Sequence, residues 1–264
     1  MNKSTLIKIV LVLLALTISS CSSFTECDNI NEKEVIILVD ISDNELYKVI
    51  QSDIENNFSG FMQQSGLGEI SSCQRLTVRL APIESRNILN YSTESIEIPR
   101  KGLSLQEQRA RANPAPLVEL IRNKLDEYSE MSTDKVITSG SNIANIILKA
   151  INSSNIDAAE STIIIFSDLI ENTQYVNMYR EIPSGQDIAN TTEKLLDPIT
   201  LETFQERRQQ GLAPSIIVVS KPSNNPAVKL RDVRNFWGHL FREELGLQDV
   251  EFVDNLSQYH AIQQ

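Results

Sequence analysis

Three short stretches of the chain form continuous apolar runs: 35–39 (VIILV), 162–166 (TIIIF) and 215–219 (SIIVV), the last two opened by a Thr and a Ser. Each is rich in β-branched residues and flanked by polar ones. A run of that length with no polar face predicts a strand covered on both sides, as in a parallel sheet between helix layers. Residues 74–82 alternate instead. Leu76, Val78 and Leu80 are set against Arg75, Thr77 and Arg79, which predicts a fourth strand with one more polar face. Residues 95–98, ended by Pro99, predict a short edge strand, and 250–253 a last strand.

Between the runs the apolar period changes to that of a helix. The spacing of Leu46, Val49, Ile50, Ile54, Phe58 and Phe61 predicts a helix over 45–62. Leu117, Leu120, Ile121, Leu125 and Tyr128 predict one over 117–128, after the Pro114-Ala115-Pro116 start. Ile143, Ile146, Ile147 and Ala150 predict one over 142–151. Residues 187–210 hold one helix and a second after Pro198. Residues 228–245 carry Leu230, Val233, Trp237, Leu240, Phe241 and Leu245 on one stripe. Strands alternating with helices imply βαβ units and a three-layer α/β fold with a central, mostly parallel sheet. Two segments, 83–113 and 172–185, read as long surface excursions, the kind of loop that often carries function.

The N-terminus follows a different logic. Lys3 and Lys8 precede a short apolar stretch over 9–18, and Ser19 and Ser20 precede Cys21. This is the anatomy of a secretory signal, too short for a comfortable membrane span. Ile18-Ser19-Ser20-Cys21 resembles a bacterial lipobox, in which the Cys becomes the lipidated first residue. Ser22 after it, by the same resemblance, favours the outer membrane. The expected organisation is a signal peptide over 1–20, a tether over 21–33, one domain over 34–254 and a tail over 255–264. The expected location is the bacterial envelope, lipid-anchored and facing the periplasm.

The net charge is −11, and removal of Lys3 and Lys8 makes the remainder more acidic. That sign opposes nucleic-acid binding and adsorption to anionic lipid, so contact with the membrane is expected through the lipid alone. With Cys21 lipidated, Cys27 and Cys73 remain as an even pair in an oxidising compartment, a disulfide candidate.

The chemistry gathers at the strand ends, where ligands of open parallel sheets bind. The first strand runs into Asp40-Ile41-Ser42-Asp43-Asn44, and 162–166 runs into Ser167-Asp168. Ser139-Gly140-Ser141-Asn142-Ile143 opens a helix between them. Carboxylates and hydroxyls from three separated segments suit a hard cation, Mg²⁺ or Mn²⁺, rather than zinc. A plainer reading exists for the same residues. Ser42-x-x-Glu45 and Asp168-x-x-Glu171 are both capping boxes, and Ser141 or Asn142 makes an ordinary N-cap.

In these segments the chain resembles the von Willebrand factor A-type (vWA) domain over about residues 34–254. That family has Asp-x-Ser-x-Ser after its first strand, a Thr in a Gly-rich loop opening a helix, and an Asp after a buried strand. The resemblance implies a metal-ion-dependent adhesion site formed by Asp40, Ser42, Asn44, Ser141 and Asp168. It implies a cation whose open position is completed by an acidic side chain of a partner, here another envelope protein. Asn44 stands for the second Ser, Ser141 for the Thr, and Leu169 for the usual Gly, which is expected to place a side chain near the rim. Two other readings are a structural scaffold with a degenerate metal site and a Mg²⁺-dependent phosphohydrolase, the latter disfavoured because Ser42 stands where an Asp-x-Asp enzyme has its second carboxylate. His239, His260, Trp237 and Phe241 carry no expected chemistry, and 206–210 reads as a solvated helix face.

Overall fold

The computed structural model describes residues 27–64, 73–83, 89–98, 115–134, 142–155, 158–211, 213–222 and 225–259. Among these residues six strands form one sheet: β1 (Asn31–Asp40), β2 (Gln74–Ile83), β3 (Ser92–Ile98), β4 (Ala158–Ser167), β5 (Ser215–Ser220) and β6 (Val250–Val253). Their order is β3-β2-β1-β4-β5-β6, and every pairing is parallel except β2 with β3. The helices are α1 (Asn44–Gln64), α2 (Ala115–Asp134), α3 (Ile143–Ser153), α4 (Gln186–Leu195), α5 (Pro198–Gln209) and α6 (Leu230–His239).

The period of two along each strand divides the interior into two cores. Val35, Ile37 and Val39 of β1, with Ile164, Phe166, Ile217 and Val219, pack against α1 and α2. Ile36 and Leu38, with Ile163, Ile165, Ile216 and Val218, pack against α3 to α6. Both faces are dry, which is why β1, β4 and β5 read as unbroken apolar runs. Residues 35–39 are all fully buried, each side chain worth about 1.5–3 kcal/mol of transfer free energy. Among the described helices none is long and apolar enough to cross a membrane.

β2 alternates for a specific reason. Arg79 lies on the α3 side, where its guanidinium pairs with buried Glu34 at 3.0 Å and covers the ring of Tyr91 at 3.8 Å. Arg79 also donates to the Ser153 carbonyl at 2.7 Å, so it closes the end of α3 as well. Arg207, in the run expected to be a solvated helix face, likewise donates to the Ser154 carbonyl at 2.7 Å.

Other boundaries differ from the expectation. β1 begins at Asn31, so Asn31, Glu32 and Lys33 belong to the sheet and not to a tether. The stripe over 228–245 is not one α-helix. α6 ends at His239 and the chain continues as a π-helical turn, Leu240–Glu244, in which the Leu245 N–H donates to the Leu240 carbonyl at 2.9 Å. The wider turn keeps Phe241 and Leu245 in the core beside Trp237. Beyond β6 the chain stays packed: Leu256 is fully buried, and the Tyr259 ring meets Phe61 of α1 edge-on at 5.2 Å. A disulfide joins Cys27 to Cys73, tying the approach to β1 to the approach to β2.

Candidate functional site

In this strand order the topological switch lies between β1 and β4. From β1 the chain crosses to β2 on one side, while β4 lies on the other. Parallel strands deliver their carboxyl ends to one edge, and the crevice forms where the order reverses. The β1–β4 register ends with Val39 beside Phe166, and one step further Asp40 meets Ser167. The Ser167 hydroxyl donates to Asp40 Oδ2 at 2.5 Å, and the Ser42 N–H donates to Asp40 Oδ1 at 2.9 Å. The Ser42 side chain also hydrogen-bonds Asp40. Asp40 is 1 % exposed, whereas Ser42 is exposed.

Ser42 does not cap α1. The cap is Asp43, whose carboxylate accepts the Leu46 N–H at 2.8 Å and whose carbonyl accepts the Tyr47 N–H at 2.8 Å. Asn44 is the first, half-buried residue of α1. The Ser42 hydroxyl therefore faces Asp40 at the sheet edge rather than serving the helix.

Asp168 follows directly on β4. Its Oδ1 accepts the Ile170 N–H at 3.0 Å, and it is buried. No helix begins here, so the capping-box reading of Asp168 and Glu171 fails. The next residue corrects a second expectation. Leu169 has φ +58°, the left-handed region that favours glycine, yet its side chain is fully buried in the α3-side core and does not reach the rim. That backbone costs a non-glycine residue about 1–2 kcal/mol. Burial of the leucine side chain offsets it, and the Trp237 indole N–H donates to the Leu169 carbonyl at 2.8 Å.

Glu171 was not among the expected site residues. It is fully buried. Its Oε2 accepts the Ala144 N–H at 3.0 Å, and the Ile143 N–H also hydrogen-bonds the carboxylate. The N-terminus of α3 is thus capped from across the fold by a residue following β4. Asn142, at the N-cap position, makes no cap bond and instead accepts from Asn145 at 2.7 Å. Among the described residues Glu171 Oε1 has no hydrogen-bond partner. The only sequence signal for this role was an acidic residue three positions past Asp168, which local rules assign to a helix of its own.

Burial pushes all three carboxylates up. Asp40 is raised by desolvation, opposed by its Ser167 and Ser42 hydrogen bonds. Asp168 is pushed up to about 7 by desolvation and then by the nearby Asp40 charge. Glu171 is pushed up to about 8 by desolvation, with a contribution from Asp40. The phenol of the half-exposed Tyr179 rises to about 12, through partial desolvation and then the charges of Asp168, Asp40 and Asp43. The ion pairs among the described residues leave Asp40, Asp168 and Glu171 without a Lys, Arg or His partner.

An all-oxygen donor set with no basic side chain paired to it among the described residues fits Mg²⁺ or Mn²⁺. Among the described residues, no three His, Cys, Asp or Glu side chains converge as a ready-made metal cluster. Two carboxylates with hydroxyls and water are nonetheless the ligand density that Mg²⁺ often takes. Asp40, Ser42, Asn44 and Asp168 belong to this edge by their place in the fold. Ser141 and Cys21 lie outside the described residues, as does His260.

The excursion over 172–185 returns beside this edge. Asn172 and Asn177 form an isolated antiparallel bridge, and the Met178 N–H donates to the Glu171 carbonyl at 3.0 Å. Tyr175 and Tyr179 are the exposed aromatics of the segment. Between it and the start of α6 lies a groove of about 610 Å³, lined by Tyr179, Arg180, Ser184, Lys229 and Phe236 among others. Of the excursion over 83–113, the described parts are the end of β2 and residues 89–98, including the edge strand β3. His239 is a surface residue bonded to Glu244 at 3.1 Å, and Trp237 and Phe241 are core.

No family model matches the chain, and no curated protein matches it significantly. Solved structures of similar architecture are the pilus adhesin SpaC from Lactobacillus rhamnosus GG in its open conformation (12% identity, TM-score 0.40), the TFIIH p34 N-terminal domain (10%, 0.35) and human COPII-coat protein Sec24c (12%, 0.41). The matches cover 88%, 86% and 89% of this chain, and 29%, 91% and 30% of those chains respectively. This chain therefore spans less than a third of the SpaC and Sec24c chains. The fold assignment rests on the sheet itself: five parallel-paired strands, an antiparallel edge strand at β3, helices on both faces and a switch between β1 and β4 make it a vWA-like α/β fold.

Proposed function

We propose that this is a binding domain that engages another envelope protein through the carboxyl edge of its sheet. In this reading Asp40, Ser42, Asn44, Ser141 and Asp168 hold Mg²⁺ or Mn²⁺. The cation, when bound, supplies a Lewis-acidic position for a carboxylate of the partner. The observation that carries the reading is the pair Asp40 and Asp168: two buried carboxylates at the switch point, close enough to repel each other, with no ion-pair partner among the described residues. Burying such charges is costly unless something compensates them. Use of vWA-type folds in protein interaction supports the same class of function.

One observation favours the scaffold reading. Both Asp40 oxygens already accept hydrogen bonds, from Ser42 and Ser167. The phosphohydrolase reading has Ser42 where a second carboxylate is needed, so binding is proposed and not turnover. Titration of Mg²⁺ and Mn²⁺ against the melting temperature separates the first two. A cation bound only by the native state at a hundredfold excess over its Kd adds about 2.7 kcal/mol. The wild type is expected to gain stability, and Asp168→Asn and Asp40→Ala are not. A wild type that gains nothing leaves a metal-free scaffold.

The location is part of the proposal. A lipid on Cys21 would hold the domain at the envelope surface, with residues before β1 as the link. Detergent-phase partitioning of the protein, lost in Cys21→Ala, is the expected result.

A further inference from the structure

We infer that Glu171 is a positioning residue of the cation site, joining the β4 side of that site to the helix that bears its third segment; the inference rests on the cation-binding reading above. Three features place it there. Its backbone lies three residues past Asp168 and is pinned, with the Glu171 carbonyl accepting the Met178 N–H at 3.0 Å and the Glu171 N–H donating to Met178 Sδ at 3.4 Å. Its Oε2 holds the Ala144 N–H at 3.0 Å, at the N-terminus of an eleven-residue helix whose preceding residues are Ser141 and Asn142. Its Oε1 is buried without a partner among the described residues, in a side chain that is 0 % exposed.

A helix cap alone does not need this group. Caps are ordinarily neutral or exposed side chains next to the helix in sequence, such as Asp43 on α1 and Asp197 on α5. Here an ionisable carboxyl group is carried into the core from another element, within electrostatic range of Asp40. One oxygen fixes the α3 end, and the other remains available towards a water or the outer shell of a cation. Residues that orient metal ligands in this way typically alter affinity by about 10- to 100-fold when changed.

The test uses the whole chain and the cations alone. Mg²⁺ and Mn²⁺ affinities are measured by calorimetry for the wild type and Glu171→Gln. The amide keeps an oxygen for the Ala144 N–H and removes the capacity to ionise when a cation binds. The expected result is an affinity about 10-fold or more weaker, with the EDTA melting temperature of Glu171→Gln close to that of the wild type. Equal affinities would reduce Glu171 to a helix cap and overturn the inference while leaving the cation site standing. A wild type that binds neither ion overturns both. A second readout needs no variant: the Ala144 amide resonance of the wild type is expected to shift in step with Mg²⁺ occupancy, and an unmoved resonance at saturation overturns the inference.

Discussion

Ser167 and Asp40 face each other across the seam between β4 and β1, hydroxyl to carboxylate at 2.5 Å, both essentially without solvent exposure. The same hydroxyl oxygen accepts the Leu169 N–H at 2.8 Å. One serine thus satisfies a buried carboxylate and a buried amide in a strained turn. Ser167→Ala removes a donor and an acceptor together: Asp40 Oδ2 loses the hydroxyl, while Oδ1 keeps the Ser42 N–H, and the Leu169 N–H loses its acceptor. The expected loss is about 2–4 kcal/mol in urea denaturation, from roughly 1–3 kcal/mol for each group left unpaired. Loss of this hydrogen bond also raises the Asp40 carboxyl further, since the bond to Ser167 is the strongest influence holding it down. A neutral effect on stability would mean that the seam does not depend on this contact.

Lys221 and Asp53 form an ion pair of the opposite kind, buried and fully partnered. Lys221 follows β5 and Asp53 lies in the middle of α1. The ammonium also donates to the Asp254 carbonyl at 2.6 Å, and Asp53 accepts the Leu256 N–H at 3.4 Å. The group ties α1 to the segment after β6. Lys221→Met strands a buried carboxylate and is expected to cost about 3–5 kcal/mol. Lys221→Met with Asp53→Leu removes both charges, and its cost should fall well below the sum of the single changes. An additive double-mutant cycle would show the pair to be energetically uncoupled.

How much of this was legible in the sequence depended on the range of the interaction. The strands and most helices were, because their signal is local: 35–39 had to be buried on both faces, and the α1 stripe from Leu46 to Phe61 had to face a core. The place of Asp40 and Asp168 at one edge followed from strand direction. Contacts that join distant segments were not legible. Glu171 caps α3 from twenty-seven positions away in sequence, so a local rule gave it a helix of its own. Leu169 looked like a departure from glycine because sequence shows a side chain but not a φ of +58°. Ser42 and Asp43 are both good caps, and only the turn into α1 decides between them. Asn31 to Lys33 are polar yet belong to β1, because the sheet there is held by side-chain hydrogen bonds such as Thr77 to Glu32 at 2.8 Å.

The carboxylates at the edge also set how stability should respond to pH. Asp168 and Glu171 titrate at about 7 and about 8 in the folded protein, against ordinary values of 3.8 and 4.5. Groups raised in this way bind their protons more tightly when folded. Their contribution is therefore fully present below the ordinary carboxylate range and is lost as pH rises through the folded values. In EDTA the protein is expected to be more stable at pH 5 than at pH 8, with the decline levelling off above about pH 8. Each proton taken up on folding gives a slope of about 1.4 kcal/mol per pH unit. Asp197, lowered by its bonds to Thr200, acts in the acid range and leaves this window alone. Asp168→Asn should flatten the slope and raise the metal-free melting temperature near pH 8, since it removes the repulsion with Asp40. Because protons and a cation compete for the same oxygens, stabilisation by Mg²⁺ should be larger at pH 8 than at pH 5. Melting curves in EDTA and in saturating Mg²⁺ from pH 5 to pH 9 measure both effects. Stability that climbs from pH 5 to pH 8 in EDTA would show that these carboxylates are not held protonated by the fold, and the electrostatic case for a cation between Asp40 and Asp168 would go with it.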